Sequence, residues 1–241
     1  MKLIYVVAAI VFTTIAGLGC KKSNDTPEPY KCTTCKTVPD ALAANDASNK
    51  GIYKGVFSGS SGTVLFNVQN GGTTITAVLV IDGVTINLTS TVTITSGQAY
   101  VAPFTGTLNG QAVTVNFSVG ATGQNPTVTS STVPGHPNAS FLIVKETSNA
   151  LIECFEGTYS TTLPENGTFN LILSRTARVW GASARKANGT ATNPASGTLT
   201  TDNKLIEANG VNFGTVAADK IDGSFQDGGN RTVTITAKRT L

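Results

Sequence analysis

From residue 51 onward, apolar and polar side chains alternate with a period of two. The clearest run is Gln111–Val119, where Val113, Val115, Phe117 and Val119 fall on one side and Thr114, Asn116 and Ser118 on the other. Successive residues of a strand point to opposite faces, so this run reads as a strand with one buried and one wet face. Val64, Phe66 and Val68 repeat the pattern, as do Phe169, Leu171 and Leu173, and Val233, Ile235 and Ala237. The alternation predicts Phe117 and Phe169 in cores, with Asn116 and Asn170 in water.

Between such runs stand Asp82-Gly83, Asn109-Gly110, Asn166-Gly167, Asn188-Gly189, Asn209-Gly210 and Asp222-Gly223. Asn/Asp-Gly supplies the two positive-φ positions of the type I′ turn that joins adjacent antiparallel strands. The runs amount to roughly fifteen strands at a spacing of about 8–12 residues, the signature of sandwiches and barrels. One short helix is expected near residues 40–48.

The chain also repeats itself. Tyr53-Lys54-Gly55-Val56-Phe57 matches Phe155-Glu156-Gly157-Thr158-Tyr159, and Gly62-Thr63-Val64-Leu65-Phe66 matches Gly167-Thr168-Phe169-Asn170-Leu171. Further on, Phe104 with Gly106 aligns with Phe213 and Gly214, and Phe117 with Phe225. One soluble barrel of about fifteen strands would be hollow. The expected fold is therefore all-β, an antiparallel meander in two similar barrel- or sandwich-like units in tandem. Each unit would have about seven or eight strands, and the two would pack end to end.

Composition agrees with strands and narrows the function. Roughly one residue in six is Thr, and there are 25 Gly. Hydrophobic residues are 40% and the net charge is only +3, which argues for a packed fold over disorder. That charge, with no basic cluster interleaved with aromatics, excludes a nucleic-acid surface. A single His excludes a multi-histidine metal centre. A transmembrane barrel is disfavoured because aromatics do not recur as girdles and the strands are nearer eight than eleven residues.

The N-terminus has a different character. Met1-Lys2 precedes an apolar run, Leu3 to Leu18, ending in Ala16-Gly17-Leu18-Gly19-Cys20. The run is short for a membrane span and has the layout of a secretory signal helix. After it, Lys21 to Pro29 is polar, Pro-containing and without periodicity, as a flexible tether would be. The small residues before Cys20 resemble a bacterial lipobox, although Leu stands at 18 where the favoured order would place it at 17. The chain thus resembles lipid-anchored envelope lipoproteins of Gram-negative bacteria. The resemblance implies export, lipidation of Cys20, and attachment to the outer membrane through acyl chains such as palmitate. It implies no activity. The expected division is a signal peptide over residues 1–19, then lipidated Cys, tether and CxxC segment over 20–50. A first β-unit follows over 51–146 and a second over 147–241.

Catalytic chemistry is sparse. His136 lies in Val133-Pro134-Gly135-His136-Pro137-Asn138, which is turn composition, so an exposed loop residue is expected. A serine nucleophile would need this His as its base, and no Gly-x-Ser-x-Gly elbow occurs. Gly59-Ser60-Ser61-Gly62 is one residue short of that pattern and reads as a hairpin turn.

Cys32-Thr33-Thr34-Cys35 lacks the βαβ setting of a redox motif, so a structural disulfide between Cys32 and Cys35 is the first reading. Alternatively Cys154 pairs with one of them, or Cys32, Cys35, Cys154 and His136 ligate zinc. Asp219, Asp222 and Asp227 read as turn residues before calcium ligands, because their spacing is not that of an EF-hand. Glu153 and Glu156 would be the acids of a glycosidase, or simply solvated. Trp180 is expected in a core. Asn-x-Ser/Thr triplets at Asn87, Asn166 and Asn188 are strand-and-turn composition.

The expectation is a non-catalytic binding or structural module, held to the membrane by its lipid and facing an envelope ligand or protein. No catalytic residue, metal or cofactor is assigned. The alternatives are a hydrolase of envelope glycans or polymers and an envelope thiol oxidoreductase.

Overall fold

The structure, a computed structural model, describes residues 28–241. Cys20 and the signal-like run lie outside the described residues. The first unit contains β1 (Gly51–Ser58), β2 (Gly62–Val68), β3 (Ile75–Ile81), β4 (Val84–Thr89), β5 (Tyr100–Leu108), β6 (Gln111–Val119), β7 (Thr127–Thr132) and β8 (Ser140–Glu146). The second contains β9 (Glu153–Thr161), β10 (Asn166–Ser174), β11 (Val179–Lys186), β12 (Thr192–Leu199), β13 (Lys204–Glu207), β14 (Asn212–Ala217), β15 (Lys220–Gln226) and β16 (Thr232–Arg239). All pairings are antiparallel. In place of the helix expected near residues 40–48 there is one 3-10 turn, Ala43–Asn45.

The two units share a plan. The first strand of each pairs with both the second and the last: β1 with β2 and β8, β9 with β10 and β16. The second unit is a closed eight-stranded barrel, whereas the first curls round its core with β7 and β8 left as edges. The early repeat pairs fall on equivalent strands, β1 with β9 and β2 with β10. The later pairs do not. Phe104 lies on the fifth strand of its unit and Phe213 on the sixth, because Gly and aromatics recur on many strands of a barrel.

Two of the expected turns are also strand interior. Asp82-Gly83 and Asn109-Gly110 have φ values of 49°, 79°, 50° and 78° and make hairpins. Gly167 and Gly223, by contrast, lie within β10 and β15. A Cβ at Gly223 would sit 1.9 Å from the Phe213 carbonyl oxygen, and one at Gly167 2.0 Å from that of Arg185. These glycines permit a close approach of the neighbouring strand's backbone.

The first core is filled by aromatic rings. Phe66 stacks on Phe117 at 4.5 Å and meets Phe104 edge-on at 4.9 Å, while Tyr53 meets Phe117 at 5.1 Å. All four are fully buried, as the alternation predicts for Phe117. Asn116 stays on the outer face and donates to Ser130 Oγ at 2.8 Å.

The units pack side by side, not end to end. Every residue of β1 is buried, including the outward-pointing Ile52, Lys54, Val56 and Ser58. Opposite them stand Asn170, Ile172 and Ser174 on the outer face of β10, also buried. Val56, Ile152, Cys154 and Ile172 form a small apolar core at this junction. Hydrophobic burial on both outer faces makes the lateral contact favourable. Lys54 Nζ and Glu146 form a buried ion pair at 2.6 Å, and Glu146 also accepts from the Asp40 and Ile152 amides.

The segment before β1 straps both units. The Cys32 amide donates to Asp219, and Arg239 donates to the Lys36 carbonyl, fixing one part to the second barrel. Asn70 and Glu146 hold Asp40 to the first unit.

Candidate functional site

The second barrel is a cup. Along β9, Glu153, Phe155 and Tyr159 share the inward side; along β16, Val233, Ile235, Ala237 and Arg239 do so. At the lower end Arg239 Nη1 pairs with Glu153 at 3.1 Å and Asp219 at 3.4 Å, and Arg175 pairs with Glu153 at 2.8 Å. These buried charges and the docked N-terminal segment plug that end.

The upper end is open. The inward residues of β11 and β12 there are small, Ala182, Ala184 and Ala195, and they face Phe169, Phe213 and Phe225. Phe213 stacks on Phe225 at 4.2 Å. Small residues opposite large ones leave a cavity of about 300 Å³, where the first unit is filled by rings. Eight strands enclose just enough space for one small ligand.

The rim is polar and its charges answer one another. Tyr159 OH donates to Glu165 Oε1 at 3.1 Å. Glu165 pairs with Lys186 at 3.5 Å and Arg231 at 3.6 Å, and Arg231 with Asp227 at 2.7 Å. Burial, reinforced by the hydrogen bond and charge of Glu165, pushes the Tyr159 hydroxyl up to about 12. It therefore stays a neutral hydrogen-bonding group at the mouth. An apolar wall with a few polar groups at one end is the usual composition of a small-molecule pocket.

The residues singled out in the sequence scatter. Cys32 and Cys35 are joined by a disulfide, and Cys154 is a buried free thiol at the junction of the units. The zinc alternative fails, since the disulfide consumes two of its thiolates and no metal-ligand cluster occurs among the described residues. Asp219, Asp222 and Asp227 have separate cationic partners in Arg239, Lys220 and Arg231. Glu153 is buried between arginines, not solvated, and Glu156 lies on the opposite face of β9 against Ser61 and Thr240. The two carboxylates share no cleft. Trp180 is buried in the second core, where its Nε1 donates to the Thr198 carbonyl at 3.1 Å.

His136 is not simply an exposed loop residue. Its side chain is 18% exposed, its Nδ1 and Ser60 Oγ share a hydrogen bond of 2.8 Å, and Nε2 lies 3.8 Å from Asp82 Oδ2. Sequence reading missed this grouping because its members lie on three separate turns. The mouth of the second barrel had a weak signal: across the matched repeats, inward Ala184 and Ala195 stand where the first unit carries Leu79 and Leu88. Comparison with protein families, curated proteins and solved structures returns no match.

Proposed function

We propose that the protein is a lipid-anchored envelope protein, tethered to the outer membrane through Cys20, whose second barrel holds one small, predominantly apolar ligand. The observation that carries the reading is the contrast between the units, one packed with rings and the other with an open pocket at its mouth. Rim charges that are already paired favour an uncharged ligand, because a charged one would have to break those pairs. The plugged lower end makes the barrel a carrier site and not a channel.

The test uses the uncharged fluorophore N-phenyl-1-naphthylamine. Saturable binding at one site per chain, displaced by apolar competitors and accompanied by a change in Trp180 emission, is the expected result. Trp180 is the only Trp and lies 5.3 Å from Phe213 at the pocket wall. Non-saturable or absent binding would remove the reading. The anchor is tested separately: an acyl-chain metabolic probe should label the wild type, and Cys20→Ala should move the protein out of the membrane fraction.

A further inference from the structure

We propose that Ser60, His136 and Asp82 form a nucleophilic serine site that cleaves short-chain carboxylic esters of polar alcohols. The site lies in the groove between the units, apart from the barrel mouth. Its three residues come from the β1–β2 turn, the β7–β8 connection and the β3–β4 turn. In an up-and-down meander these three turns fall on the same rim, so the topology brings together residues 76 and 54 positions apart.

The turns are tied to one another. The Asp82 amide donates to the Ser61 carbonyl at 2.9 Å. His136 is held by its own turn, with its amide donating to the Val133 carbonyl at 2.9 Å. Its ring rests edge-on against Phe57 at 5.5 Å and 88°. Arg185, from the second barrel, donates to the Asn138 carbonyl and to Ser140 and so fixes the β7–β8 connection from the other side. Asn170 holds the Ser60 carbonyl at 2.9 Å. The nucleophile and its base are thus positioned by both units, as preorganised catalysis requires.

The chemistry follows from the hydrogen bonds. As the base, His136 would accept from Ser60 at Nδ1 and carry its proton on Nε2, on the side of the Asp82 carboxylate. The imidazolium formed on proton transfer would then be stabilised by that charge. At 3.8 Å the Asp82 carboxylate makes no hydrogen bond to Nε2 and acts on the imidazolium as a nearby negative charge. Either imidazole nitrogen can serve as the base, because the triad is defined by geometry and roles.

In the first step Ser60 Oγ adds to the ester carbonyl carbon and its proton passes to His136 Nδ1. The bond to the alcohol oxygen then breaks, and the alcohol leaves with that proton. Water attacks the acyl-serine and gives a proton to His136, which returns it to Ser60 Oγ as the acid departs. Ester and water become acid and alcohol, with no change of oxidation state. The amides of Ser60 and Ser61 meet no protein acceptor among the described residues, and they would be the donors to the oxyanion.

Substrate class follows from the walls. The groove holds about 500 Å³ and is lined mainly by polar groups, among them Asn138, Asn188 and Thr190, which suit a hydroxyl-rich alcohol. Pro137 and Ala139 supply a small apolar surface for a short acyl chain.

The experiment treats the full-length protein in detergent with a fluorophosphonate probe and follows p-nitrophenyl acetate hydrolysis. One adduct, mapped by mass spectrometry to Ser60, is expected. Ser60→Ala should abolish it, and His136→Gln should slow both labelling and hydrolysis by about 100-fold or more. Asp82→Asn, which tolerates the left-handed turn conformation, should slow them less. Ser130→Ala, on β7, should leave them unchanged. A Ser60→Cys variant gives an independent reading, since His136 should speed alkylation of the new thiol. No adduct at Ser60, or labelling and alkylation indifferent to His136→Gln, would overturn the proposal.

Discussion

The Asn170 side chain, on the outer face of the second barrel, donates to the backbone carbonyl of Phe57 in the first. The same amide group reaches the Ser60 carbonyl, and Oδ1 accepts from the Gly157 amide at 3.2 Å. Asn170 is fully buried, although alternation along β10 places it on the face expected to be wet. A second unit covers that face and converts a solvent-facing amide into a connector.

Asn170→Ala should therefore be costly. It leaves two carbonyls and an amide without this partner in a dry junction, and each unsatisfied buried group costs about 1–3 kcal/mol. Asn116→Ala, at the position that is truly half-exposed, should stay within about 0.5 kcal/mol. Phe117→Ala should cost about 3–5 kcal/mol through the cavity it opens. Urea unfolding of the three variants checks the order. An Asn170→Ala cost no larger than that of Asn116→Ala would mean the units do not dock as described.

The Lys54–Glu146 pair gives a second test. Removing one buried partner strands the other charge, at a cost of about 3–5 kcal/mol. Lys54→Met should lose that much. Lys54→Met combined with Glu146→Gln should recover part of it, since no buried charge is then unpaired and the single amide oxygen still accepts from one of the Asp40 and Ile152 amides. Thermal and urea unfolding of the single and double variants measure the recovery, and a purely additive double variant would show that the two groups are not coupled.

Cys154 predicts a pH dependence. Burial pushes its thiol up to about 12, opposed by the nearby Lys54 charge. An unfolded Cys ionises near about 8.5. As pH rises from there toward 12, the unfolded chain loses this proton and the folded chain keeps it, so stability falls with pH. The stability advantage of wild type over Cys154→Ala should shrink across that window. Iodoacetamide at pH 8 should leave native Cys154 unmodified and alkylate it in urea; rapid native alkylation would contradict the buried junction.

Ala184→Phe should fill the mouth of the second barrel. Binding of N-phenyl-1-naphthylamine should be lost while the unfolding midpoint in urea changes little, because the added ring enters existing space. Retained binding with normal affinity would place the fluorophore elsewhere on the molecule.

The strand periodicity of Val113 to Val119, and its recurrence from residue 51 to 239, was sufficient for an all-β chain in two similar units. Period two is a local property, set by the geometry of each strand, and it survives any arrangement of strands. The Asn-Gly and Asp-Gly pairs were legible where the backbone turns, at Asp82 and Asn109. They misled at Gly167 and Gly223, where a carbonyl from the neighbouring strand, and not a positive φ, demands glycine. Side-by-side packing, the burial of Lys54 and Asn170, the plugged cup and the meeting of Ser60, His136 and Asp82 all depend on residues far apart in the chain. Each rests on which outer faces and which turns the two curved sheets bring into contact, and that is a matter of tertiary geometry that no local pattern encodes.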